Sequence, residues 1–367
     1  MKIIWTFSLL MIPGVLSSIS VTGYSGGGAM ITCKYDKGYE TNAKYFCKGE
    51  WSECTDKIKT GTKDTWFKSG RFSLYDDTTA AVFTVTIRDL TEQDSDIYYC
   101  GTDIYAKVDS ATEVNLKVIT GPKISTVRGY AGGTVIIDYE YGKQHKYQQK
   151  YFCKCGADQC RQIYTSKSGI QFSIDDDRSA GLLHVLIEEL KQYNSGKYCI
   201  VVRASEDYSL FSEFELVITD AACCQKSISL SAAAGGSVNI SCKYPQSHTA
   251  DVKFICRRSG ADLCAKETRS EEESGGRKAE GKIRLYDDRE EQLLTATISH
   301  ESPEHSAEYW CGVQSAGHKS FITRVIISFT DAEKTSPQPS SLPSSSSSPP
   351  PSSSLVESPL QRMCVRK

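Results

Sequence analysis

The sequence predicts an all-β protein: three tandem two-sheet antiparallel sandwiches followed by a disordered Ser/Pro-rich tail. Three observations carry that prediction. A segment of apolar residue, cysteine, polar turn and second cysteine occurs as Lys44–Cys54, Lys150–Cys160 and Lys253–Cys264, starting 106 and 103 residues apart. Repetition at that period divides the 367 residues into three similar units. Between the copies, apolar residues alternate with polar ones, as in Phe83–Ile87, Leu182–Ile187 and Leu294–Ile298, which is the period of a half-buried strand. Finally, 15 cysteines suit a secreted, disulfide-stapled chain better than an intracellular one.

Taken in order, Lys2 leads an apolar run from Ile3 to Leu16, which predicts a secretory signal over residues 1–17. The first unit covers 18–120, the second 121–220 and the third 221–330, each opening with a glycine-rich turn such as Gly26-Gly27-Gly28. In the first unit Cys33 and Cys100 lie 67 residues apart, and in the third Cys242 and Cys311 lie 69 apart. Tyr98 and Tyr309 stand two residues before the second cysteine, as in the tyrosine corner of immunoglobulin domains. Phe46 and Ile255 take the place of the core tryptophan, and the spacing leaves room for the extra strands of a variable-type domain. The fold expected is three tandem V-type immunoglobulin sandwiches, with Cys33–Cys100 and Cys242–Cys311 as intersheet disulfides.

Cys-Lys-Tyr at Cys33, the Lys-Tyr-Phe-Cys…Cys segment and the Leu74-Tyr75-Asp76-Asp77 run resemble the polymeric immunoglobulin receptor and its CMRF-like myeloid relatives, over roughly residues 20 to 330. The resemblance implies a second cysteine pair per unit: Cys47–Cys54, Cys153–Cys160 and Cys256–Cys264. It also implies an immune cell-surface-type receptor that binds a protein or a lipid head group through its loops and modulates signalling. Polymeric immunoglobulin carriage is one alternative, although the loop after Cys33, Asp36–Asn42, is mixed in charge rather than basic. Homophilic adhesion is another. Loops on a rigid sandwich are the usual seat of binding residues, so Tyr39, Glu40, Asp103, Tyr105 and Lys107 of the first unit are the candidates.

The second unit departs from the pattern. Tyr139 and Ile200 fill the intersheet cysteine positions, and Cys199 sits one residue early, facing away from the core. Cys155 faces that same side on a neighbouring antiparallel strand, so a Cys155–Cys199 bridge is expected. Closing that span is worth roughly 4 kcal/mol, close to an intersheet bridge. Arg71 and Asp94 match the buried ion pair of V domains, whereas the second unit has Gln171 and Asn194, neutralising both charges together.

Other features narrow the function. With 43 basic and 45 acidic residues, nothing favours nucleic acid. No nucleophile, acid–base pair or phosphate cradle is recognisable, so neither an enzyme nor a cofactor is expected. Cys153, Cys155 and Cys160 lack a fourth ligand for zinc. The aspartates at Asp76-Asp77, Asp175–Asp177 and Asp287-Asp288 are read as solvated turns rather than calcium ligands. Asn239-Ile240-Ser241 is the single glycosylation sequon, placing Asn239 as a modification candidate. Residues 331–367 are read as a disordered, O-glycosylated stalk. Cys223, Cys224 and Cys364 are left over, with Cys364 the candidate for a disulfide-linked dimer. No stretch beyond the signal reaches 18 apolar residues, so the chain as it stands is expected to be secreted, within a family of the plasma membrane.

Overall fold

The computed structural model describes residues 18–121, 124–155, 160–162, 171–233, 236–260, 262–270, 277–280, 283–299 and 307–330. The signal segment and the Ser/Pro tail with Cys364 lie outside them.

The first sandwich is built from β1 (Ser18–Tyr24), β2 (Gly28–Lys34), β3 (Lys44–Lys48), β4 (Thr55–Thr60), β5 (Trp66–Ser69), β6 (Phe72–Asp77), β7 (Val82–Ile87), β8 (Asp96–Thr102) and β9 (Ser110–Ile119). One sheet runs β1-β9-β8-β3-β4 and the facing one β2-β7-β6-β5. Period-two alternation sends Ile31, Cys33, Phe46, Val85, Tyr98 and Cys100 into one core. Phe46 takes the tryptophan position by stacking on Tyr98, with ring centroids 4.9 Å apart.

The second sandwich comprises β10 (Thr126–Tyr130), β11 (Thr134–Glu140), β12 (Lys150–Cys155), β13 (Cys160–Gln162), β14 (Gln171–Asp177), β15 (Leu182–Glu188), β16 (Gly196–Val202) and β17 (Tyr208–Thr219). Tyr139 and Ile200 lie buried in its core, where Phe152 stacks on Tyr198. The third comprises β18 (Ser227–Ala233), β19 (Ser237–Lys243), β20 (Val252–Ser259), β21 (Asp262–Arg269), β22 (Arg277–Glu280), β23 (Ile283–Asp288), β24 (Leu293–Ser299), β25 (Ala307–Ser315) and β26 (His318–Thr330). Its sheets are β18-β26-β25-β20-β21 and β19-β24-β23-β22.

First and second sandwiches share a ladder. The start of β17 pairs antiparallel with β2, Tyr208 opposite Ile31 through Phe211 opposite Gly28. Thr32 N donates to Asp207 O at 2.7 Å. Gly28 is required there, because a Cβ would lie 2.1 Å from the Phe211 ring. Arg88 pairs with Glu213 and lies over the same ring. Met30 packs against the apolar cluster formed by Cys153, Cys199, Val201 and Phe211. Cys199 therefore faces away from its own core yet is only 1% exposed.

Candidate ligand-binding loops of the first sandwich

Two loops meet at one end of the first sandwich: residues 35–43, between β2 and β3, and Asp103–Asp109, between β8 and β9. They are laced together, with Asn42 Nδ2 donating to Asp103 O at 2.7 Å and Asp103 N to Ala43 O at 2.9 Å. Asp109 braces the second loop by accepting from Ile104 N at 2.8 Å and from Tyr45 Oη at 3.0 Å. Ala106 adopts a positive φ of 59° at the tip. That conformation pushes the tip outward: Tyr105 is 95% and Val108 70% exposed.

The five candidate side chains have different roles. Tyr105 and Lys107 project into solvent. Asp103 is half-exposed and pairs with Lys59 on β4 at 2.8 Å, a hydrogen bond that raises the lysine's pKa. Glu40 turns back to accept from Gly38 N at 2.9 Å, and that bond holds its carboxyl below the usual range. Tyr39 packs partly buried against the core.

What sequence reasoning missed lies beneath the loops. Lys44 is wholly buried and donates to the carbonyls of Tyr39 and Asn42 at 2.9 and 2.8 Å. Its Nζ sits 3.2 Å from Asp76, which is also wholly buried and accepts from Tyr35 Oη at 2.9 Å and Lys63 at 2.8 Å. Burial pulls the Lys44 pKa down while Asp76 raises it, the first effect prevailing. Burial and the Asp76 hydrogen bond push the Tyr35 hydroxyl upward. The same trio recurs in each sandwich: Lys150, Asp176 and Tyr141, then Lys253, Asp287 and Tyr244. In each, the lysine also holds carbonyls of the loop before its strand: Lys146 and Gln148, then Thr249 and Asp251.

This corrects the reading of the aspartate runs as solvated turns. One carboxylate of each run is buried or half-buried in an ion pair, because a lysine two residues ahead of each strand's inward aromatic or aliphatic residue reaches it. A threefold co-occurrence of Tyr, Lys and Asp was the available signal. The remaining carboxylate does cap a turn: Asp77 accepts from Ala80 N at 2.9 Å.

Disulfides join Cys33 to Cys100, Cys47 to Cys54, Cys155 to Cys199, Cys242 to Cys311 and Cys256 to Cys264. Cys153 is also disulfide-bonded, while the Cys160 side chain lies outside the described residues. Cys223 and Cys224 stand with sulfurs 2.8 Å apart, partly exposed. Arg71 grips Asp94 through two hydrogen bonds of 2.9 and 2.7 Å. Burial works to raise the Asp94 carboxyl, but Arg71 and Thr91 outweigh it and hold it low. Gln171 and Asn194 do not reproduce this contact: Gln171 reaches Glu188, and Asn194 accepts from Lys191 N. Once Asn194 is uncharged, its own turn satisfies it.

The immunoglobulin V-set domain model matches residues 17–119 and 225–328. CMRF35-like molecule 3 from Mus musculus is 35% identical over 133 residues, 33% of this chain and 53% of that protein. The polymeric immunoglobulin receptor from Rattus norvegicus is 28% identical over 200 residues, 51% of this chain and 26% of that protein. The crystal structure of the teleost fish polymeric Ig receptor ectodomain aligns over 58% of this chain and 98% of that one, at 21% identity and a TM-score of 0.26. The chain thus spans about half of the first of these curated relatives and about a quarter of the second. They are immunoglobulin-domain receptors, a non-enzymatic family. Among the described residues no helix is long and apolar enough to cross a membrane. With two regions matching the V-set model and a further sandwich of the same kind between them, the chain belongs to the immunoglobulin V-set domain family.

Proposed function

We propose that the chain is an extracellular immune-receptor-type ectodomain that binds a protein ligand through the first sandwich and modulates immune signalling. The supporting observation is the braced loop that displays Tyr105 and Val108 at 95% and 70% exposure. An exposed tyrosine held on a fixed backbone loses little entropy on binding, which suits it to anchor a protein interface. The second sandwich's corresponding hairpin is spent on β2.

The fluorescently labelled full chain, used to stain leukocytes, provides the test. Tyr105→Ser with Val108→Ser should lower binding at least tenfold, and trypsin treatment of the cells should abolish it. Equal staining by the variant, or staining that survives trypsin and follows phosphatidylserine vesicles, overturns the reading. A second reading, binding of polymeric immunoglobulin, is favoured by the match to the polymeric immunoglobulin receptor over half of this chain. Immobilised immunoglobulin M tests it directly.

A further inference from the structure

The first and third sandwiches treat the same strand edge in opposite ways. Aligned on Cys33 and Cys242, Gly28 corresponds to Ser237 and Met30 to Asn239. On β2 that edge is a receptor: Gly28 leaves room for Phe211, Met30 packs on the apolar cluster, and four ladder positions are filled by β17. On β19 the outward residues are Ser237, Asn239, Ser241 and Lys243, all exposed. Among the described residues β19 pairs with β24 alone, so its other edge offers open backbone groups. An open edge is a template for another chain, and an edge-to-hairpin contact repeated between copies is head-to-tail and does not close. The β8–β9 hairpin of a second copy is the occupant to be kept out, since β17 shows that this hairpin type docks on this edge.

We propose that Asn239 carries an N-linked glycan that closes the β19 edge against the β8–β9 hairpin of a second copy. The sequon Asn239-Ile240-Ser241 lies on the exposed face, and Thr297 Oγ1 donates to Asn239 Oδ1 at 2.8 Å, leaving Nδ2 outside that bond. Nδ2 attacks the anomeric carbon of a polyprenyl-diphosphate-linked oligosaccharide in the secretory pathway, loses a proton and releases the polyprenyl diphosphate. The glycan then shields the edge at the position where Met30 accepts its neighbour.

The full chain, secreted from mammalian cells with Cys364→Ser throughout, provides the test. Peptide mapping before and after peptide-N-glycosidase should find Asn239 occupied. Asn239→Gln and Ser241→Ala should both lose the glycan, and their sedimentation coefficients should rise with concentration while the parent stays monomeric. Asn239→Lys, unglycosylated but charged on the same edge, should remain monomeric. An unoccupied Asn239 in the secreted parent overturns the proposal. So does monomeric sedimentation of both glycan-free variants, or association of Asn239→Lys.

Discussion

Replacing either member of the Lys44–Asp76 pair should destabilise the first sandwich unequally. At 3.2 Å and an effective dielectric near 20, the gross attraction is about 5 kcal/mol, most of it offset by desolvation of two wholly buried groups. Lys44→Met keeps much of the stem's volume and leaves Asp76 beside Lys63 and Tyr35, so about 2 kcal/mol should be lost. Asp76→Asn instead strands a buried ammonium on two carbonyls, and the loss should approach the roughly 3–5 kcal/mol of an orphaned charge. The double variant should cost less than the sum by at least about 1 kcal/mol. Urea-dependent hydrogen exchange of the full chain, read on peptides from β3, measures all three. In Asp76→Asn the folded-state pKa of Lys44 falls further below its unfolded value. The unfolded state then binds more protons, so stability should rise as pH climbs from 7 toward the unfolded lysine pKa of about 10.4. Equal costs for the single variants, or strict additivity, would refute the reasoning.

Two further outcomes are expected. Cys155→Ser should expose one new thiol at Cys199 on unfolding, detected by alkylation and mass spectrometry, and cost about 4 kcal/mol for the 44-residue span; an unlabelled Cys199 sinks the pairing. Arg71→Met should move acid unfolding of the first sandwich to higher pH. The Asp94 carboxyl is depressed when folded, so its contribution is present above the unfolded value near 3.9 and fades as pH falls through the lower folded one. Hydrogen exchange on β8 peptides between pH 2 and about 6 reads this, and an unmoved midpoint counts against it.

Much of the fold was legible because its determinants are local or repeated. Alternation at period two set the inward faces, and the recurring cysteine segment set the number of sandwiches. Cys199, one residue off register, was readable as outward-facing from parity alone. Its burial was not readable, because part of the cover comes from Met30, more than 160 residues away in the chain. Likewise Asp76 sits in a run that looks like a turn, and only the arrival of Lys44 from β3 and of Tyr35 from the loop after β2 makes it an interior group. Of the loop candidates, sequence reasoning named Tyr105 and Lys107, which face solvent. It also named Tyr39, whose partial burial depends on loop curvature that its neighbours do not encode, and it omitted Val108.

The ladder between β17 and β2 changes what the segment joining the first two sandwiches has to do. In a string of beads, the spacer's length and stiffness set the angle between neighbours. Here four ladder positions and the Phe211–Gly28 fit set it, so the length of the spacer matters less. Insertions between Thr120 and Thr126 should therefore be nearly silent, because lengthening a closed loop costs only slowly growing entropy. A single side chain at Gly28 would instead reset the angle. Within the spacer Ile124 remains tied to the second sandwich's core, but the angle between the first two sandwiches is written in a strand.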